Sequence, residues 1–372
     1  MKIAVLVGTR PEAIKMAPVI RALRSSSGDT MPDVKICATG QHREMLYQAL
    51  ADFGLTPDIN LNVMTDNQSL ASLSAHLMIS LDHLFAEEKP DWLLVQGDTT
   101  TVMTASLCAY YRHIRVGHVE AGLRSFNKYS PFPEEVNRQI TGVLANLHFA
   151  PSALSRDNLL REGVHSESIL VTGNTIVDAL EWILTRDNLD TLLPPSCKAA
   201  LGQGRKIILV TCHRRESFGA PIRNICTALN RLTELLPECH IVYPVHRNPN
   251  VRNTVYPLLE KNPHISLIDP LPYATFVSLM RVSYCILSDS GGIQEEVATL
   301  HKPLLVLREV TERPEGIKAG FSKLVGTDEN RIVVSTQELF KDQSAYRAMQ
   351  NTENPYGDGK AALRIREALL HA

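Results

Sequence analysis

Carboxylates and histidines that end short apolar runs are the residues of this chain best suited to acid–base chemistry. Asp98 follows Trp92–Val95, Glu120 follows Arg115–Val119, and His213 comes soon after Lys206–Val210, while Glu134 comes directly after Pro131-Phe132-Pro133. An acid at the end of an apolar strand needs a cation or a helix cap to offset its burial. Each also has a plainer reading. Asp98 fits a helix N-cap, and Glu134 fits a first-turn acid with Arg138 four residues on as an ordinary partner. If Asp98, Glu120 and Glu134 converge with His213, they supply what proton transfer at two faces of a carbon requires.

A second group suits an anion. Ser290-Gly291-Gly292 follows the strand Tyr284–Leu287 and opens a helix, whose first N–H groups have no partners within the helix. Two glycines there let a diphosphate approach closely, and Glu296, more than one turn in, is placed to accept from ribose hydroxyls. Asp289 and Ser290 acting merely as caps is the alternative. Arg10 and Lys15, just after the first strand, and Arg313, on an extended stretch before Pro314, add positive charge for the same diphosphate or are solvated surface charges. Other chemistries lose support. No G-x-x-x-x-G-K-[ST] loop, no G-x-G-x-x-G after the first strand and no G-x-S-x-G elbow is present, and the histidines lack metal-ligand spacing. We expect no metal and no cofactor.

The elements that must position these residues alternate. Short β-branched runs at Ile3–Val7, Val34–Ala38, Trp92–Val95, Arg115–Val119 and Leu147–Ala150 are separated by helical patterns at Glu12–Arg24, Ser69–Phe85 and Thr101–Tyr111. A second cycle begins at Lys206–Val210 and continues through a helix from about Ile222 to Leu236 and strands at His240–Tyr243, Ile265–Leu267, Tyr284–Leu287 and Pro303–Leu307. The fold class is α/β, with two doubly wound Rossmann-like domains. Between the cycles, Asn188–Arg205 reads as a surface connection because of Pro194-Pro195 and Gly202-x-Gly204. We place the domains at 1–172 and 173–355, with a closing helix in 356–372. Open parallel sheets bind ligands beyond the carboxyl ends of their strands, so two such sheets predict an interdomain cleft.

At 372 residues, 44% hydrophobic, 21% charged and with a net charge of −2, the chain is an ordinary globular protein too long for one core. No basic patch suits nucleic acid. No run approaches the length that spans a bilayer, and the first apolar run breaks at Thr9-Arg10-Pro11-Glu12, too soon for a signal peptide. We expect a cytoplasmic protein. Its 7 cysteines, scattered without a C-x-x-C pair, read as reduced and mostly buried.

Taken together, the motifs resemble one family. Gly8-Thr9-Arg10-Pro11-Glu12, Gln41-His42-Arg43-Glu44, Gly97-Asp98-Thr99-Thr100, His118-Val119-Glu120-Ala121-Gly122, Pro131-Phe132-Pro133-Glu134-Glu135, His213-Arg214-Arg215-Glu216, Asp289-Ser290-Gly291-Gly292 and Thr311-Glu312-Arg313-Pro314-Glu315 stand in the order of the bacterial non-hydrolysing UDP-N-acetylglucosamine 2-epimerases. The resemblance implies a GT-B arrangement, the final helix packing back on the first domain, and a homodimer. It implies catalytic roles for Asp98, Glu120, Glu134 and His213, and UDP contacts from Arg10, Lys15, Phe276, Ser290, Gly291, Gly292, Glu296 and Arg313. It also implies an activating second UDP-N-acetylglucosamine at Gln41, Glu134, Arg214 and His246. This chain departs from the family pattern at Gln96, Arg247, Leu271, Glu44 and Asn67. A glycosyltransferase using a UDP-sugar, or a non-catalytic nucleotide-sugar sensor, are the alternatives.

Overall fold

The computed structural model describes residues 1–25, 31–40, 43–63, 68–311 and 313–372. By its contacts the chain forms two compact units, Met1–Ile183 with Tyr356–Ala372, and Leu184–Pro355.

Seven strands build the first unit among the described residues: β1 (Lys2–Val7), β2 (Asp33–Ala38), β3 (Ile59–Asn60), β4 (Trp92–Gln96), β5 (Arg115–Val119), β6 (Leu147–Ala150) and β7 (Ile169–Val171). They lie in the order β3-β2-β1-β4-β5-β6-β7, every pair parallel. Six more build the second: β8 (Lys206–Thr211), β9 (Cys239–Pro244), β10 (Ile265–Ile268), β11 (Cys285–Ser288), β12 (Leu304–Val306) and β13 (Ser322–Leu324), in the order β10-β9-β8-β11-β12-β13 and again all parallel. Helices cover parallel sheets on both faces, so the central strands are near-continuous apolar runs. β1 and β8 are buried from their second residue onward.

Each sheet has one topological switch point, between β1 and β4 in the first and between β8 and β11 in the second. There the connections leave toward opposite faces and open a crevice at the strands' carboxyl ends. The loops bordering these crevices are Gly8-Thr9 and Gly97-Asp98 in one unit, and Cys212–Arg214 and Asp289-Ser290 in the other. Of the residues singled out for chemistry, Asp98, His213 and Ser290 stand in these loops.

The boundary falls after Ile183, beyond the expected 172. Helix Thr175–Leu184 stays with the first unit because its partners are there. The Asp178 carboxylate accepts from the N–H groups of Ala361 and Ala362 at 3.3 and 2.9 Å, capping helix Ala361–Leu370. Arg21 stacks over the Trp182 ring at 3.6 Å. Residues 188–205 also differ from the expected surface connection. They form a 3-10 turn, Leu189–Leu192, and a helix, Pro195–Gly202, that bury Leu189, Cys197 and Ala200, and Ser278 donates to the Leu189 carbonyl at 2.7 Å. Pro195 occupies the first helical turn, where its missing N–H has no intrahelical partner to lose.

All seven cysteines are buried and free. No helix among the described residues is long and apolar enough to cross a membrane.

Candidate functional site

In the first unit, Thr9 caps helix Arg10–Arg24 in a reciprocal capping box with Glu12. Glu12 does more than cap. Its buried carboxylate accepts from the N–H of Gly8 at 2.5 Å and of Thr9 at 2.9 Å, and from the Thr99 hydroxyl at 2.7 Å. One acid thus ties the loop after β1 to the loop after β4, and burial pushes its pKa up to about 7. His118 steadies the same loop. Its Nε2–H donates to the Gly97 carbonyl at 2.7 Å, and burial pushes its pKa down to about 3, so the ring is neutral at physiological pH.

Asp98 accepts from Arg138 at 2.6 Å, and its own carbonyl accepts from Asn137 Nδ2 at 2.9 Å. Arg138 also pairs with Glu135 at 3.0 Å. The expected pairing of Arg138 with Glu134 gives way to these two. Asp98, although distant in sequence, is delivered by β4, and Glu135 stands three residues before Arg138, an equally good helical neighbour. Burial opposes ionisation of Glu135, but the N–H groups of Ser125 and Phe126, each at 2.9 Å, and Arg138 hold its pKa below the ordinary value. Glu134 is the first residue of helix Glu134–Leu144 and is partly exposed.

Glu120 sits just past β5 with φ of +63°, a left-handed conformation that a non-glycine residue rarely adopts and that tends to cluster at functional sites. Its carboxylate pairs with Lys15, both side chains under a tenth exposed, and accepts from Gln96 Nε2 at 2.9 Å. Lys15, expected on a diphosphate, is here the counter-ion of Glu120. Gln96, a departure from the family pattern, supplies a further donor. Arg10 opens its helix beside this edge, partly buried.

In the second unit the helix Gly291–Thr299 begins at Ser290, whose side chain makes no cap hydrogen bond. Nor does Asp289 cap the helix. Its carboxylate turns to the N–H groups of His213 and Arg214, both at 2.9 Å, and to the Ser217 hydroxyl at 2.9 Å. The helix start is therefore left without a side-chain acceptor, and two guanidiniums flank it. A Cβ built on Gly291 would lie 2.8 Å from Arg313 Nη1 and 3.3 Å from Arg214 Nη2. Arg313 is held by Glu295 at 2.7 Å with only 13% of its side chain exposed, so it is no solvated loop residue. Free N–H groups, the helix dipole and two guanidiniums are the features that suit an anion. His213 stacks on His246 with ring centroids 5.5 Å apart, and burial lowers the pKa of both. Glu296 is buried, and Phe276, on helix Tyr273–Val282, is partly buried. Gln41 and Asn67 lie outside the described residues.

Residues 25–370 match the family model described as UDP-N-acetylglucosamine 2-epimerase. The chain belongs to the UDP-N-acetylglucosamine 2-epimerase family. Its relatives include the UDP-N-acetylglucosamine 2-epimerase of Escherichia coli K12, 49% identical over 99% of this chain and 98% of that one. Among solved structures, the Neisseria meningitidis UDP-GlcNAc 2-epimerase bound to UDP-GlcNAc matches with a TM-score of 0.92 and 46% identity over the whole of both chains. The Staphylococcus aureus MnaA–UDP co-structure matches with 0.89 and 44%, over 100% of this chain and 96% of that one. Both neighbours share the GT-B-like pair of parallel sheets.

Within this 2-epimerase family member, four acids make site contacts that the sequence reading did not assign: Glu12, Glu135, Asp289 as a clamp, and Glu295. The Thr9-x-x-Glu12 capping box was legible, since the pattern is local. Glu135 has one local partner, Arg138 at i+3, but its bonds to Ser125 and Phe126, like the partners of Asp289 and Glu295, are brought in by the fold, and nothing local marks those.

Proposed function

We propose that this chain interconverts UDP-N-acetylglucosamine and UDP-N-acetylmannosamine by inverting C2 without hydrolysing the sugar nucleotide. What carries the reading is the helix start at Gly291, without a side-chain cap and beside Arg214 and Arg313, in a chain that matches relatives named for this reaction along nearly its whole length.

C2 of the sugar is not next to a carbonyl, so removing its proton alone leaves a carbanion with nothing to stabilise it. Elimination avoids this. A carboxylate takes the C2 proton while the C1–O bond breaks and its electron pair leaves on the β-phosphate of UDP, giving 2-acetamidoglucal. UDP then adds back through that oxygen to C1 as C2 is protonated on the other face. Asp98, Glu120 and Glu134 are the proton carriers in this reading, and His213 with the Gly291 helix start stabilises the departing diphosphate. Arg10, Arg313, Ser290, Gly292, Glu296 and Phe276 hold UDP. Lys15 is the buried cation that faces Glu120. The working form in this reading is a cytoplasmic homodimer, activated by a second UDP-N-acetylglucosamine near Arg214 and His246.

Incubation with UDP-N-acetylglucosamine in D2O tests the route: both epimers return with deuterium at C2. Retention of the original hydrogen would overturn elimination, and turnover only with an added acceptor would identify a glycosyltransferase.

The diphosphate site has its own test. Ser290→Ala removes a hydroxyl donor and Arg313→Ala a charge-assisted one, so UDP affinity measured by calorimetry should fall about 3–10-fold and roughly 10–100-fold respectively. Unchanged affinity in both variants would move the diphosphate elsewhere.

A further inference from the structure

Asp289 is 0% exposed, and its neighbours are nearly all donors. Oδ1 and Oδ2 accept from the His213 N–H at 3.1 and 2.9 Å, and Oδ2 also from the Arg214 N–H and the Ser217 hydroxyl at 2.9 Å and from the Cys212 thiol at 3.2 Å. His213 Nδ1 lies 3.4 Å from Oδ1. A carboxylate that clamps a turn needs no imidazole beside it. Here the ring attached to the clamped backbone places one of its nitrogens against the same acid.

We propose that Asp289 is a positioning residue for His213, fixing the His213-Arg214 turn and holding the imidazole with its proton on Nδ1, so that Nε2 is the nitrogen left for the substrate. The proposal rests on reading His213 as the group that meets the departing diphosphate. A neutral imidazole carries one N–H, and which nitrogen holds it is set by the partner of the other. An acid acceptor at Nδ1 selects the Nδ1–H form and favours the imidazolium, whose Nε2–H can donate to a phosphate oxygen. Burial, with smaller contributions from His246 and Arg214, lowers the proton affinity of His213, and Asp289 and Glu216 act against it.

The wild-type protein decides the tautomer. With 15N-labelled histidine and assignment by His213→Gln, the spectrum above the His213 midpoint should show a protonated Nδ1 and a bare Nε2. A proton on Nε2 overturns the proposal. That measurement needs no turnover, so it stands apart from whether the chain epimerises.

Asp289→Asn then separates positioning from a purely structural clamp. It should lower the His213 midpoint and cut turnover on the order of 10²-fold or more. In the His213→Gln background the same substitution should change turnover by less than about threefold, because its route of action is already gone. A full additional loss in that background would make Asp289 a clamp and nothing more. If Asp289→Asn does not fold, the wild-type tautomer still decides between the two roles.

Discussion

Asp98→Asn, Glu120→Gln and Glu134→Gln will each slow epimerisation by about 10²–10⁴-fold if their carboxylates carry protons, with UDP affinity little changed. Each amide keeps the size of the acid and removes its ability to transfer a proton. The surroundings make the three variants distinguishable. Asp98→Asn leaves Arg138 paired with Glu135, so the helix Glu134–Leu144 keeps its anchor and thermal stability changes little. Glu120→Gln removes the negative charge from the buried pair with Lys15, and losing one partner of a buried ion pair is expected to destabilise by about 3–5 kcal/mol. Lys15→Met added to Glu120→Gln removes the cation of that pair as well. It should recover most of that stability and none of the turnover. Detection of UDP-N-acetylmannosamine by a coupled assay, alongside thermal unfolding, reads both quantities. Near-wild-type turnover in all three amide variants would remove acid–base catalysis from these residues.

Gly122→Ala adds a single methyl and should nonetheless destabilise the first unit by about 3–5 kcal/mol. Gly122 has φ of +86°, and a Cβ there would lie 2.2 Å from the Ser155 carbonyl oxygen and 2.8 Å from its carbon. Both are backbone atoms at the start of helix Ala153–Arg161, and Asn158 Nδ2 donates to the Gly122 carbonyl at 3.0 Å, so neither side of the contact can retreat. Glu120, two residues earlier in its left-handed conformation, would shift with the turn, and turnover should fall too. Gly97→Ala is the control. Its φ is +80°, but nothing lies within 4 Å of the added atom, so only the backbone preference, about 1–2 kcal/mol, is lost. Equal destabilisation of the two variants in chemical denaturation would mean that crowding at Ser155 is not what requires the glycine.

The central strands were readable because burial on both faces leaves little room for polar residues, and β1, β4 and β8 announce themselves as apolar runs. The edges were not. β3, β7 and β13 have two or three residues each, too few to show any period, and they owe their strand conformation to a neighbour already in place. A similar contrast runs through the site. That Asp98, Glu120, His213 and Ser290 stand at strand ends could be read from order alone. Their partners could not, because a hydrogen-bond partner is chosen in three dimensions. Arg138 illustrates this: the local rule offered Glu134, and the fold brought Asp98 to it. Lys15 and Glu120, 105 residues apart, show the same limit for a buried pair.

The way the chain visits its two units has a consequence for synthesis. Leu184–Pro355 is a single uninterrupted stretch, whereas the first unit needs residues on either side of it. On the ribosome, where the chain emerges from its N-terminus, the second unit can be complete while the first still lacks Ile365 and Leu369, which helix Ala361–Leu370 buries, and the backbone donors that satisfy Asp178. The part that starts first finishes last. Until then β1 to β7 wait with an open flank, and a ribosome that stalls after Pro355 would leave a finished second unit attached to an unfinished first one.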